Sequence, residues 1–238
     1  MALNAKKTKT MLMESSRKLS LLHYELQLYF DDECLNNVNT HKLLGVHLDK
    51  SLNWTSQVDK ICSVFSSRIA LLNRLKTYLP IEGLKLYYNG YLLPLIDYCS
   101  VVWGNTNKVN SEKIPKLQKR AARIILKADF NTPSKKLFEK LEWLTVYNRI
   151  HYHKANPYVY KCINNLCSMF NSINENCPYG LRSATLNNLQ VPRPKSEYFK
   201  RTFLYSGTNL WNSLPSNIKR LNNEICFKTK VKDYLLRY

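Results

Sequence analysis

The chain has 238 residues, and its 36 Lys and Arg against 17 Asp and Glu give a net charge of +19 at pH 7. A chain of this length can bury a hydrophobic core without disulfide bonds, and its seven cysteines, irregularly spaced and without a C-x-x-C pair, match neither a disulfide framework nor a standard zinc site. Because the first residues lack the apolar core of a signal peptide and no run is long enough to span a membrane, we expect an intracellular protein, nuclear or cytoplasmic, without a membrane partner.

The front of the chain, to about residue 50, predicts short strands of alternating apolar and polar residues. These strands cover Thr10 to Met13, Tyr24 to Phe30, and Lys42 to Leu48, the last interrupted by Gly45. The pattern indicates a small β segment at the start of the protein.

Two adjacent aspartates, Asp31 and Asp32, follow the second predicted strand in the run Tyr29-Phe30-Asp31-Asp32. Paired carboxylates of this kind can hold Mg²⁺ in a two-metal phosphoryl-transfer site. Aspartate is equally an ordinary residue at the tip of a two-stranded hairpin, because its side chain bonds to local backbone and tolerates unusual dihedral angles. The residues alone leave both interpretations open.

From Trp54 onward, apolar residues recur every three or four positions, which predicts helices. The first helix begins near Asn53 or Thr55 and ends before Pro80. Its apolar stripe consists of Val58, Ile61, Phe65, Ile69, Leu72 and Leu75. A second helix covers residues 81–91, and Pro94 separates it from the apolar run 95–103.

Further helices are predicted at 132–141, behind the cap pair Thr132-Pro133, and at 146–169 and 227–236. Pro157 must kink or split the middle one, in which Tyr147, Ile150, Tyr158 and Ile163 are expected to pack inward. Residues 171–195, rich in Asn and Pro, are expected to form a connector with little regular structure.

Nearly all of the excess positive charge lies behind the predicted strands. Residues 1–60 hold 8 Lys and Arg and 7 Asp and Glu, whereas residues 61–238 hold 28 and 10. A basic body of this kind attracts polyanions, of which nucleic acid is the most common inside cells. An acidic membrane surface is the weaker alternative, since no basic segment has a broad, strongly apolar opposite face.

Residues 111–127 predict an amphipathic helix with an entirely cationic face. On a helical wheel, Ile114, Leu117, Ala121, Ile124 and Ile125 share one side. The other side carries Lys113, Lys116, Lys119, Arg120, Arg123 and Lys127, with no anion among them. Like charges at i,i+4 repel by a few tenths of a kcal/mol per pair. The pattern therefore favours binding of RNA and/or DNA through the phosphate backbone over a merely solvated face.

Several stretches in fixed order resemble the back half of the reverse transcriptase of non-LTR (LINE-type, jockey-like) retrotransposons. The matching residues are Leu3-Asn4 with Lys7-Thr8 and Met11; Lys42 to Asp49 with Leu52 and Trp54; Pro94 to Tyr98 with Val102-Trp103-Gly104; Leu210 to Pro215; and Phe227-Lys228 with Tyr234-Leu235-Leu236. The resemblance covers nearly the whole chain. Each motif alone is weak, whereas their common order is specific.

The resemblance implies roles for residues in the front of the chain. Lys7 would belong to palm motif D and lie near the incoming triphosphate, and Leu44-Gly45 would form the primer grip, where a missing Cβ allows close backbone approach. In this family the catalytic aspartates precede motif D, so Asp31 and Asp32, which follow it, are interpreted as a decoy. The resemblance thus implies no catalytic residue, metal site or cofactor in this chain, with Mg²⁺ bound by the complete polymerase.

The predicted fold class is α+β and predominantly helical: a small antiparallel palm-edge β segment (residues 1–52), a helical thumb-like basic region (53–170) and a carboxy-terminal helical segment (171–238). The predicted function is that of a reverse transcriptase fragment that binds primer and template without polymerising alone. A free-standing basic nucleic-acid-binding protein and a non-functional retrotransposon remnant are the alternatives. Unpaired palm strands would favour association through their edges.

Overall fold

Three two-stranded β ladders occupy the described residues before position 50, and helices follow them. The computed structural model describes residues 4–21, 27–30, 32–164, 169–171 and 187–237. Its mostly helical content with small sheets confirms a predominantly helical α+β class.

The ladders are short, and one of them corrects the predicted antiparallel segment. Strand β2 (Tyr29–Phe30) pairs antiparallel with β3 (Glu33–Cys34), and β5 (Thr40–Leu43) pairs antiparallel with β6 (Val46–Asp49), whereas β1 (Lys9–Thr10) pairs in parallel with β4 (Asn36–Asn37). Parallel strands need a crossover connection of about a dozen residues or more. Here helix α1 (Ser16–Leu21) and the β2–β3 hairpin lie between them.

The predicted interruption of the third strand at Gly45 is confirmed as a two-residue hairpin turn. Leu44 and Gly45 both have positive φ angles, 47° and 85°. This is the turn geometry whose twist matches that of the flanking strands. The prediction for 10–13 is wrong, since β1 ends at Thr10; the prediction for 24–30 falls partly outside the described residues.

The helices after the ladders follow in chain order. They are α2 (Thr55–Leu75), α3 (Ile81–Tyr87), the π-helical segment π1 (Tyr88–Leu92), α4 (Leu93–Asp97), α5 (Ser100–Trp103), α6 (Lys108–Ser111), α7 (Lys113–Leu126), α8 (Ser134–Leu141), α9 (Val146–His153), the π-helical segment π2 (Lys154–Tyr160), α10 (Lys161–Asn164), α11 (Glu197–Arg201), α12 (Phe203–Ser213), α13 (Ser216–Lys219) and α14 (Glu224–Arg237).

Helix α2 is the predicted first helix, and the Asp49 carboxylate of β6 caps its start. Oδ2 of Asp49 accepts a 2.7 Å hydrogen bond from the backbone N–H of Trp54, and Oδ1 accepts one of 3.0 Å from that of Asn53. These are donors that the first helical turn cannot satisfy by itself. The side chain therefore joins the hairpin to the long helix.

Pro94 does not separate helical segments as predicted. The chain remains helical from α3 through π1 into α4, and Pro94 lies in the first turn of α4. Proline has no N–H to donate, and the hydrogen-bond pattern already changes in π1 directly before it, so the helical run continues past Pro94. Pro157 likewise lies within π2 and does not split the helical run, which changes to π-helical geometry around it.

Of the four residues predicted to pack inward, Ile150 is buried and Ile163 is half-buried, while the side chain of Tyr158 lies outside the described part of the chain. Tyr147 is 45% exposed, and its hydroxyl donates to Oγ of Ser111 at 3.2 Å. A tyrosine at an apolar wheel position can satisfy its polar end at the surface in this way.

Two hydrophobic cores follow one another along the chain. The first is built on α2, α3, π1 and α7 and includes Phe65 and Trp103. The second is built on π2, α12 and α14 and includes Trp211 and Phe227. Asn148 of α9 links the two regions through a 2.7 Å hydrogen bond that its side-chain amide donates to the Leu235 carbonyl. Among the described residues, no helix is both long and apolar enough to cross a membrane.

Asp49→Asn should destabilise the protein by about 1–3 kcal/mol, measured by urea unfolding. In the parent, each carboxylate oxygen accepts a hydrogen bond from a backbone N–H. In either orientation, the asparagine amide would place an NH₂ group against one of these N–H donors and lose that hydrogen bond. Asp59→Asn on α2 is the matched control, because Asp59 is exposed and such surface carboxylates contribute about 0–1 kcal/mol. Equal effects of the two substitutions would contradict the capping role of Asp49.

Candidate nucleic-acid interface

Helix α7 packs its apolar face against α2 and the neighbouring helices. Ile114, Ala121 and Ile125 are buried as predicted, while Leu117 and Ile124 are half-buried at the edges of this face. The helix is shorter than predicted, because α6 ends at Ser111 and is followed by the first residue of α7 only at Lys113.

One polar side chain, Gln118, lies in the middle of this buried face and is 1% exposed. Its Nε2 donates to the Leu144 carbonyl at 2.9 Å and to the Tyr88 hydroxyl at 3.2 Å, and its Oε1 accepts from the Val146 N–H at 3.1 Å. Every hydrogen bond satisfies a group that would otherwise be buried without a partner. The sequence contains the signal, a lone amide at an apolar wheel position, but its partners come from distant segments.

The six predicted cations differ in exposure according to their place on the wheel. Lys116, Arg120 and Lys127 are exposed, and Lys113, Lys119 and Arg123 are half-buried on either flank. Nζ of Lys113 lies 2.6 Å from Oδ1 of Asp59, so α2 supplies a carboxylate that α7 itself lacks. No other described carboxylate forms an ion pair with the six. We call the three exposed cations Lys116, Arg120 and Lys127 the α7 basic surface.

A cleft at the ends of α2 and α7 extends this surface. It has a volume of about 410 Å³ and is lined by Lys76, Thr77, Arg123, Ile124, Lys127 and Ala128, with no described carboxylate among its lining residues. We call it the basic cleft. The contribution of Lys76 was not predicted, because only the packing of α2 against α7 brings its side chain to the cations of α7.

An exposed aromatic ring lies beside the basic cleft. Phe130 is 84% exposed, and the guanidinium of Arg123 lies 5.3 Å from the centre of its ring, within cation–π range. Nε of Arg123 is buried without an acceptor among the described residues. Tyr78, which follows Thr77 of the cleft, is also 84% exposed. By contrast, Tyr88 is buried and stacks on Trp143 with 3.6 Å between ring centres, as expected of a packing tyrosine.

Among the described residues, no hydrogen bond or ion pair joins Lys7, Leu44 or Gly45 to α7. Lys7 is exposed at the end of a 3-10 turn. Leu44 is 83% exposed at the hairpin tip, and its carbonyl accepts a 2.5 Å hydrogen bond from the Tyr98 hydroxyl. The Tyr98 ring also lies beside Gly45, 3.4 Å from where a Cβ would be. The roles suggested for these residues stay predictions.

Tyr29, Phe30 and Asp32 belong to the β2–β3 hairpin, a setting that fits both interpretations of the paired aspartates. Asp32 lies in the turn between β2 and β3 with a φ of 62°, a left-handed conformation that Asp tolerates better than most residues. Asp31 lies outside the described residues. Within the described part of the chain, no cluster of three or more His, Cys, Asp or Glu side chains is arranged to hold a metal ion.

Comparison with known proteins gives no relative: no protein-family model, no curated protein and no solved structure matches the chain. What the chain binds is therefore inferred from its own residues.

Gln118→Leu should cost about 2–4 kcal/mol of folding stability in urea unfolding, because three buried polar groups lose their partner while the side-chain volume barely changes. Gln190→Leu, at an exposed position, is the control and should change stability by less than about 0.5 kcal/mol. A cost for Gln118→Leu as small as that of the control would show that the hydrogen bonds do not hold α7 in place.

Proposed function

We propose that this chain binds RNA or DNA with unpaired bases, using the α7 basic surface and the basic cleft for phosphates and Phe130 and Tyr78 for bases. One observation carries the proposal: a cleft with three basic side chains and no described carboxylate has an exposed aromatic ring held at its edge by Arg123. Grooves that bind single strands combine cations that follow the backbone with rings on which bases stack.

The energetics of the free surface favour a polyanion. Cations on one helix face repel each other, and phosphate groups would replace that repulsion by attraction and release counterions. A large exposed ring gains little in water, whereas stacking of a base contributes about 1–3 kcal/mol. The cation–π contact with Arg123 holds the Phe130 ring in position before binding, which lowers the entropy lost on stacking.

The length of α7 sets the size of the site. A rise of about 1.5 Å per residue between Lys116 and the helix end at Leu126 gives roughly 15 Å. A strand in helical geometry advances about 3.4 Å per phosphate. The surface therefore matches roughly five nucleotides, within the usual range of single-strand sites.

We further propose that this binding serves the carboxy-terminal, thumb-like part of a LINE-type reverse transcriptase. The ordered motifs support it. In that setting Lys7 and Leu44-Gly45 would face the nucleotide and the primer end. A free-standing nucleic-acid-binding protein would use the same α7 basic surface without these two contacts.

The triple variant Lys116→Gln, Arg120→Gln, Lys127→Gln should weaken binding of a fluorescein-labelled single strand at least tenfold at 50 mM salt. It should also reduce the slope of log K against log salt by about two, since each lost phosphate contact removes about 0.7 from the slope for single strands. Fluorescence anisotropy over a salt series measures both quantities.

A control variant that removes the same charge elsewhere, Lys50→Gln, Lys140→Gln, Lys230→Gln, replaces three exposed lysines on other elements. It should lower affinity slightly through net charge and leave the slope nearly unchanged. Equal slope changes in the two triple variants would mean that charge alone, and not the α7 basic surface, binds the nucleic acid.

A further inference from the structure

A second cavity, which contains no residue of α7, gathers basic groups at the junction of the two cores. Its volume is about 290 Å³, near the lower end of small-ligand sites. It is lined by Gly104, Asn105, Thr106, Ser111, Tyr147, Ile150, His151, Lys154, Lys200 and Arg201. Four of these side chains are basic, and no described Asp or Glu lines the cavity.

Lys154, the first residue of π2, is the most deeply buried of the four, at 2% exposure. Its ammonium donates a hydrogen bond to Oδ1 of Asn105, and no described carboxylate pairs with it. The other buried lysine, Lys219, has two oxygen acceptors, Oδ1 of Asn188 at 2.7 Å and the Asn212 carbonyl at 3.0 Å. Burial lowers the pKa of Lys154 to about 8, so the group is charged at neutral pH at a cost in stability.

Arg201, the last residue of α11, brings a second unsatisfied cation to the cavity. Its Nη1 is buried and finds no acceptor among the described residues. Asn105 connects it to Lys154, because the amide that accepts from Lys154 also donates to the Arg201 carbonyl at 2.7 Å and to Oγ of Ser206 at 2.8 Å. Lys200 differs from both, since its ammonium pairs with Glu197.

We propose that this cavity is a phosphate-binding site, with Lys154 and Arg201 as its two charged donors. The buried ammonium of Lys154 and the half-buried Arg201, whose Nη1 is buried, have no described carboxylate beside them, and a tetrahedral oxyanion between them would accept from both. Charge-assisted hydrogen bonds from Lys and Arg to phosphate are among the strongest that side chains form. Burial and the nearby Lys154 lower the pKa of His151 to about 4, so this residue lines the cavity as a neutral imidazole, of which one ring nitrogen can donate. The site stands independently of the function proposed for α7.

Thermal unfolding of the full chain in inorganic phosphate, against chloride at equal ionic strength, tests the proposal. Phosphate at 10 mM should raise Tm by about 2–4 °C more than chloride, because a ligand that binds only the folded state stabilises it. Lys154→Met and Arg201→Gln should each abolish this increment. Lys154→Met should unfold no earlier than the parent in chloride, since it removes an unpaired buried charge.

Lys230→Gln, an exposed lysine of α14, is the control and should keep the full phosphate increment. The proposal would be overturned if phosphate raised the Tm of the parent no more than chloride does. It would also be overturned if both cavity variants kept the full phosphate increment. If Lys154→Met lacks native circular dichroism, Arg201→Gln decides, with Arg201→Lys expected to restore part of the increment.

Calorimetric titration of phosphate into the chain saturated with a single-stranded oligonucleotide separates two sources of the phosphate group. Loss of phosphate binding would identify a phosphate of the nucleic acid as the occupant, and unchanged binding would identify free phosphate; both support the site. The triple α7 variant should keep its Tm increment in phosphate. Failure of the α7 interface and failure of this cavity are therefore distinguishable.

Discussion

The buried amide of Gln118 constrains the rest of the structure. Its three hydrogen bonds join α7 to Tyr88 and to the segment 144–146, and they can form at only one rotation of the helix about its axis. A rotation by one residue, about 100°, would move the amide out of the core and carry lysines toward it. Burying a charge destabilises the folded state far more than burying a hydrogen-bonded amide, so this rotation is strongly unfavourable. The α7 basic surface therefore faces outward.

The same molecule leaves cationic donors unused in two separate places. Nε of Arg123 in the basic cleft and Nη1 of Arg201 in the second cavity are both buried without an acceptor among the described residues. Buried donors are almost always satisfied in folded proteins, so such exceptions call for an explanation. The anionic ligands proposed above would accept from both groups and would pair with the buried ammonium of Lys154, which has only a neutral amide beside it. Stability given up at a site of this kind is the usual cost of function.

The local sequence pattern predicts many of the helices, whereas the contacts between helices and strands depend on tertiary packing. The apolar period of α2 and the cationic face of α7 were readable because each lies within one helix. Lys76 and Arg201 could not be assigned to sites, since their neighbours come from elements far away in sequence. The parallel pairing of β1 with β4 escaped prediction for the same reason. The local pattern at Pro94 predicts a break, whereas the change to π-helical geometry just before it keeps the chain helical, and sequence alone does not reveal that change. The resemblance to reverse transcriptases gave roles to Lys7, Leu44 and Gly45 that packing alone does not suggest.

Photo-crosslinking tests binding at the basic cleft most directly. A single-stranded oligonucleotide carrying 5-iodouracil is irradiated in complex with the full chain, and the crosslinked residues are identified by mass spectrometry. Stacking of bases beside the cleft predicts crosslinks at Phe130 and Tyr78, each lost when that residue is replaced by leucine. Efficient crosslinking confined to other aromatic residues, such as Tyr29 and Tyr98 near the hairpins, with none at Phe130 or Tyr78, would contradict it.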